Sequence, residues 1–174
     1  VLVLKPLHKA LADGDPIHGV IKASGTNYDG RTNGITAPSG AAQTALLTDL
    51  FENAKVAAQD VDWVVSHGTG TEVGDMVEAH ALQDVFRGDV PQQNTAVTST
   101  KSNFGHTFAA SGLVSVIAML QAMRAEQIPP SLHCAEPNGH VDWQNGPMFL
   151  NSSVKAWPRH KERARIGSVS AFGI

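Results

Sequence analysis

Apolar residues along this chain fall into two rhythms: short continuous runs, and stripes spaced three or four residues apart. The first run, residues 1–4, is rich in Val and Leu and predicts a strand. Asp13-Gly14-Asp15-Pro16 marks a turn, and a second apolar run over 17–23 predicts another strand. The N-terminal segment therefore reads as a hairpin around a short helix or loop. Residues 25–40, rich in Gly, Asn, Ser and Thr, predict a long loop, and loops of that length are uncommon unless functional. Over 41–53, Leu46, Leu47, Leu50 and Phe51 share one face of an amphipathic helix. Residues 60–66 hold Val61, Trp63, Val64 and Val65 in a nearly unbroken run, the pattern of a strand buried on both faces.

A helix is predicted over 75–85, with acidic residues in its first turn where the helix dipole favours them. A strand over 96–100 leads into a loop over 101–105 and then into the longest helix, 106–125. That helix is dense in Ala, Gly and Ser and charged only near Arg124, so it is expected in the middle of a layered protein. Ile128-Pro129-Pro130 stops it. After an irregular stretch to residue 146, segments 149–154 and 166–172 are strand candidates. The alternation of strand and helix predicts an α/β fold with helices packed on a central sheet.

Composition narrows the picture. With 174 residues the chain has the length of one ordinary domain. Hydrophobic residues at 42% and charged residues at 17% are enough for a real core. A net charge of -3 leaves no basic field for nucleic acid. The longest apolar run, 113–120, is interrupted by Ser115 and falls short of the roughly 18 residues of a membrane helix. No basic leader with a cleavage site opens the chain. Neither nucleic acid nor membrane is expected as a partner. Cys134 is the only cysteine, which excludes an internal disulfide and fits a reducing cytoplasm. Both ends fall in apolar, strand-like segments where most chains carry polar residues, so a piece of a longer protein is expected.

Two clusters carry candidate chemistry, each at the C-terminal end of a predicted strand, where α/β folds place their sites. One is His67-Gly68-Thr69-Gly70-Thr71, the other Lys101-Ser102-Asn103-Phe104-Gly105-His106. Each sets a histidine near glycine, which lets backbone approach a ligand. His106 is expected at the positive start of the long helix, which would favour a neutral imidazole. Two neutral imidazole donors could stabilise an enolate or oxyanion. From spacing alone, both histidines could equally be ordinary core or loop residues. His67, Asp75 and Glu78 lack a tight ligand spacing and no cysteine pair supports zinc, so no metal is expected. GTGT lacks the Gly-Lys-Ser/Thr ending of a phosphate loop.

HGTGTEVGDMVEA and KSNFGHTFAASG closely resemble two motifs of the β-ketoacyl synthases, HGTGT-x-x-GD-x-x-EA and KSN-x-GH-x-x-A-A-G. VLVLKPLHKALADGDPIHGVI, NYDGRTNGITAPSG, IPPSLHCAEPN and SVSAFGI agree in the same order, so the resemblance runs from residue 1 to 174. Its wording is that of polyketide synthases. The resemblance implies a thiolase-like fold, and for residues 1–174 the C-terminal half of a ketosynthase domain. That half would be part of a duplicated αβαβα architecture, with a mixed sheet and a buried helix. The N-terminal half, with the nucleophilic cysteine, would be absent. It implies an acyltransferase that joins a malonyl-type extender to an acyl thioester by decarboxylative Claisen condensation. The substrates would ride on the phosphopantetheine arm of an acyl carrier protein, with no cofactor bound directly and a homodimeric parent.

Carried over by motif, His67 and His106 match the catalytic histidines and Lys101 the catalytic lysine. Glu78 matches the glutamate that pairs with that lysine, and Asn103 a loop-shaping residue. Thr69 and Thr71 match the threonines that bond the pantetheine amides, and Phe172 the gate to the acyl pocket. Cys134 lies in a connecting loop, without a small-residue elbow or a following helix to activate it. It is not proposed as the nucleophile. A non-catalytic partner domain, such as a chain-length factor or a decarboxylase-only domain, and a stand-alone acyl-binding or hydrolase domain remain open alternatives.

Overall fold

A computed structural model describes residues 1–88 and 93–173. Its centre is a four-stranded sheet of β1 (Trp63–Val65), β2 (Thr95–Thr98), β4 (Met148–Leu150) and β6 (Gly167–Val169), in the order β4-β2-β1-β6. A separate antiparallel pair joins β3 (Gln127–Ile128) to β5 (Lys155–Ala156). The helices are α1 (Leu7–Ala12), α2 (Gly40–Ala54), α3 (Glu72–Phe86), the single turn α4 (Lys101–Phe104) and α5 (Ser111–Ala125). Two 3-10 turns, Ala58–Asp60 and Phe108–Ala110, lead into β1 and α5.

Strand β1 is the axis of the core. Trp63, Val64 and Val65 have no exposed surface, as their unbroken apolar run predicts. Their alternation feeds two layers. Val64 joins Leu47 and Phe51 of α2, Leu82 and Phe86 of α3, and Val97 and Met148. Trp63 and Val65 join Ala96, Met119 and Ala122 of α5, Ile128 and Trp157. Phe51 meets Phe86 edge-on at 5.6 Å, and Trp63 meets Trp157 edge-on at 5.7 Å. The Trp63 indole N–H donates to Thr98 Oγ1 at 2.9 Å, satisfying its one polar atom inside the core.

Helix α2 starts where Ser39 accepts the Ala42 N–H at 3.2 Å and stops where Lys55 turns left-handed at φ 52°. At the foot of β1, Asp62 accepts from both terminal nitrogens of Arg163, from His160 and from the Ile166 N–H. Burial pushes its carboxyl up, but the Arg163 guanidinium and the Ile166 N–H outweigh that and hold it below the usual carboxylate range. The pairing fastens the chain ahead of β6 beside β1.

Several expectations are corrected. Segments 1–4 and 17–23 form no strand, and of the expected hairpin only the short helix α1 forms. A strand needs a neighbour for its N–H and C=O groups. The described residues offer these segments none, and Val1, Val3, Leu4, Val20 and Ile21 are exposed. Lys5 instead ties α1 to its trailing turn through Asp13 and Asp15. The main sheet, expected as mixed, is parallel at every described pairing. Residues 101–104 form a helical turn, and the long helix begins at Ser111, five residues after His106.

That helix is also half-exposed. It buries Ser111, Ser115, Met119 and Ala122 along one stripe and leaves Leu113 and Ile117 to solvent. Phe108–Ala125 is long and apolar enough to cross a membrane by length and composition, contrary to the reading of the 113–120 run. Interruption by Ser115 hid this, because a single hydroxyl costs little over eighteen residues of mean hydropathy 1.5. In the fold Ser115 faces inward, 3.1 Å from Thr100 Oγ1, in the manner of a core helix. The two-residue strands β3 and β5 are too short to leave a periodic signal. Ile174 lies outside the described residues.

Replacing Trp63 with Ala empties the junction of both layers and should lower stability by about 3–5 kcal/mol in a denaturant melt. The exposed apolar residues of segments 1–4 and 17–23 and of α5 make a second expectation. The chain by itself should bind a hydrophobic dye and associate in light scattering, and a monodisperse monomer would contradict it.

Candidate active site

The C-terminal ends of β1 and β2 stand side by side, with Val65 opposite Thr98. The first chain continues into the His67–Thr71 loop and the second into α4 and His106. This brings the two imidazoles together across 39 residues of sequence, with ring centroids 5.4 Å apart and planes at 79°. Lys101 and Phe172 complete the cluster. Lys101 Nζ donates to the His67 carbonyl oxygen and lies 3.5 Å from His67 Nδ1. The Phe172 ring sits 5.3 Å from the His67 ring, and its backbone N–H donates to His67 Nδ1 at 3.1 Å.

These contacts decide the tautomers. His67 Nδ1 faces two donors, so it carries the lone pair and the ring proton resides on Nε2. His106 Nδ1 accepts the Phe108 N–H at 3.0 Å, which places its proton on Nε2 as well. Burial, then the Lys101 ammonium and neighbouring His106, push His67 down to about 4. The expectation that His106 starts the long helix is thus corrected. It is exposed and precedes α5, so its donor state comes from the Phe108 peptide and not from a helix dipole. Phe108 reaches that position by adopting φ 49°, and its ring stacks on His106 at 5.1 Å.

Glu78 has a different role from the one its motif implies. It is buried, 5% exposed, on the inner face of α3. Its two carboxylate oxygens accept the His67 N–H at 2.7 Å and the Gly68 N–H at 2.9 Å. They therefore bind the turn itself, while Lys101 reaches the carbonyl side of the same residue. No direct ion pair joins Glu78 and Lys101 among the described residues; Lys101 acts on it only through space. Burial pushes Glu78 up to about 7, against the two N–H groups that favour its charged form. Asp75 accepts the Gly70 N–H at 3.1 Å and secures the next peptide of the loop.

Gly68 must be glycine here. Its φ is 42°, and a Cβ would lie 2.7 Å from both Ser66 Oγ and Ser99 Cβ. Thr69 and Thr71 are exposed, with hydroxyl oxygens 3.3 Å apart. Asn103 is exposed on α4 and accepts from Ser102 Oγ at 3.2 Å; among the described residues it makes no hydrogen bond to either histidine ring. Among the described residues Cys134 Sγ bonds within its own turn, to Leu132 O at 3.4 Å. Ser99, Asp75 and Phe108 are the residues that motif reading passed over. Asp75 lay within the quoted motif, whereas Ser99 preceded the second motif by two positions and carried no signal.

Comparison with known proteins shows the family and the fold. The family model described as "Beta-ketoacyl synthase, C-terminal domain" matches residues 18–135. Polyketide synthase ThaG of Burkholderia thailandensis is 52% identical over 175 residues, taking in 100% of this chain and 3% of that protein. Polyketide synthase PksM of Bacillus subtilis is 41% identical over 174 residues, or 99% of this chain and 4% of its own length. The ketosynthase from module 6 of the bacillaene synthase of Bacillus subtilis superposes with a TM-score of 0.93 at 40% identity, covering 97% of this chain and 30% of that one. The oxazolomycin ketosynthase domain OzmH KS7 of Streptomyces albus gives 0.91 at 32%, covering 97% and 31%. The chain thus spans less than a third of these solved ketosynthases and a few per cent of the curated relatives.

His67 and Glu78 are shifted in opposite directions and predict opposite pH behaviour. His67 is held below its ordinary 6.5, so the unfolded chain takes up its proton first and stability falls as pH drops from about 6.5 to 4. Glu78 is held above its ordinary 4.5, so the folded chain keeps its proton longer and stability falls as pH rises from about 4.5 to 7. A Glu78→Gln variant should therefore lose stability more steeply on acidification than the parent. A His67→Gln variant should gain stability over the same range. Denaturation midpoints at a series of pH values check both slopes.

Proposed function

The chain belongs to the β-ketoacyl synthase C-terminal domain family, and from that premise we propose that residues 1–174 form the C-terminal half of a polyketide ketosynthase domain. In this reading the chain supplies the decarboxylation and enolate side of the condensation. The observation that carries it is the pair of imidazoles, each with Nδ1 occupied by a backbone N–H and, among the described residues, with no hydrogen-bond partner on Nε2.

A malonyl-type thioester bound with its carbonyl oxygen between the rings would take a hydrogen bond from each Nε2. As the bond to the carboxylate carbon breaks, carbon dioxide leaves and the electron pair passes to the enolate, whose charge gathers on that oxygen. Two such donors would stabilise this charge more in the transition state than in the ground state. The enolate carbon then attacks the acyl thioester, and the sulfur leaves as a thiolate. His67, kept neutral by burial and by Lys101, is not required to give up its proton at any step. Lys101 holds the His67 peptide from its carbonyl side and Glu78 from its N–H side, and the Phe172 N–H on Nδ1 orients the ring.

Thr69 and Thr71 would offer hydroxyls to the amides of a phosphopantetheine arm on an acyl carrier protein. The exposure of both hydroxyls supports this. Phe172, beside His67, would gate the acyl pocket, and Asn103 would shape α4. The acyl-accepting cysteine would come from the N-terminal half, since Cys134 sits in a turn of its own. The parent would be a homodimer, and the single cysteine fits a cytoplasmic setting. Nothing in the geometry of the two rings favours a non-catalytic partner domain.

The test is made in the complete ketosynthase domain. Replacing His67 or His106 with Ala should lower condensation about 100- to 1000-fold each, the scale of a lost oxyanion donor. Acyl loading from a thioester should persist in the double variant, followed by labelled acyl transfer to protein. Condensation at the parental rate in that double variant would overturn the assignment.

A further inference from the structure

Beyond the last backbone rung between β1 and β2, one hydroxyl continues the link. The Ser66 N–H donates to the Thr98 carbonyl at 2.8 Å, and after it the two chains diverge into their separate loops. Ser99 Oγ then donates to the Gly68 carbonyl at 2.7 Å. The same oxygen accepts the Lys101 N–H at 3.3 Å. Ser99 is itself pinned from below, its N–H donating to Ser131 Oγ at 3.0 Å and its carbonyl accepting from Ser102 Oγ at 3.2 Å.

We propose that Ser99 is a positioning residue that sets the spacing of the two histidine loops, its hydroxyl acting as a side-chain rung between Gly68 and Lys101. This rests on the reading of His67 and His106 as the enolate-stabilising pair. A closed circuit results. Lys101 is held at its backbone by Ser99 and reaches His67 O with its ammonium, while Ser99 holds the Gly68 carbonyl, one peptide further along the same turn. On the other side of that turn, Glu78 takes the two N–H groups. The His67 turn is therefore clamped from α3 on one side and from the end of β2 on the other. A Cβ at position 68 would meet Ser99 Cβ at 2.7 Å, so the glycine is what lets the His67 turn approach Ser99 closely enough for this bond. Without the hydroxyl, the Gly68 carbonyl loses its partner and the Lys101 peptide loses its acceptor. Both loops then gain freedom at the point where the distance between the imidazoles is decided. Small errors in such placement are costly in rate.

The experiment uses Ser99→Ala and Ser99→Cys in the complete ketosynthase domain, with the His67/His106 double variant alongside. Ser99→Ala should slow carrier-bound malonyl decarboxylation and condensation roughly 3- to 10-fold in kcat, the scale of one hydrogen bond, with KM within about twofold. Acyl loading should be unchanged. The acid limb of the condensation profile should move up from near pH 4 toward the ordinary histidine range as Lys101 loosens from His67. Ser99→Cys, a weaker donor of similar shape, should fall between the parent and Ser99→Ala. Parental kcat with an unmoved acid limb in Ser99→Ala would overturn the inference. So would parallel loss of loading and condensation, the mark of a purely structural residue. If the His67/His106 double variant still condenses, the reading of the site fails whatever Ser99 does; if it does not, a silent Ser99→Ala defeats only the proposal about Ser99.

Discussion

Strands β1 and β2 run parallel and in register, with Val65 opposite Thr98, and the site depends on their ending at the same level. Two separate loops leave from adjacent points and can meet with only a few residues each. His67 needs two residues beyond Val65 and His106 needs eight beyond Thr98, and the rings still come within 5.4 Å. Parallel pairing in turn requires both faces of the sheet to be covered. The fully buried Trp63-Val64-Val65 segment, with α2 and α3 on one side and α5 on the other, meets that requirement. Core packing and site geometry are thus one construction, since the residues that bury β1 also hold the place from which His67 departs.

The loops themselves are held by groups of unlike character. Glu78 is a buried carboxyl whose main partners are peptide N–H groups, and such an arrangement fixes backbone and not charge. Lys101 approaches from the other side, close enough to disfavour protonation of His67 yet directed at its carbonyl. The outcome is an imidazole held neutral, with a defined tautomer and restricted rotation. His106 reaches the same tautomer by a separate local device, a left-handed residue at Phe108 that turns a peptide N–H back onto the ring. Two different local contacts leave the same ring atom, Nδ1, as the acceptor.

Much of this was legible from residues alone. The nearly unbroken apolar run within 60–66 predicted a strand with both faces buried, and the stripe of Leu46, Leu47, Leu50 and Phe51 predicted α2. The motifs around His67 and His106 marked the residues that the fold brings together. Other expectations failed for an identifiable reason. Segments 1–4 and 17–23 have strand composition, but pairing is a property of two segments, and these find no partner among the described residues. The composition of 106–125 suggested one helix starting at His106. The left-handed residue at 108 breaks the chain before Ser111, a backbone choice that composition does not carry.

The sequence by itself determined which segments would be strands or helices where the apolar period was strong, and which side chains could do chemistry. Hydrophobic periodicity and short motifs are local, so both are written in consecutive residues. Only the tertiary structure decided that Glu78 binds the His67–Gly68 peptides in place of Lys101, that Nε2 is the donor on both rings, and that Ser99 spans the two loops. Each of these is a hydrogen bond of about 3 Å, and all but the one from Phe108 to His106 join residues at least ten positions apart. Such bonds depend on where the sheet places the chain ends, and no pattern along the chain encodes that distance.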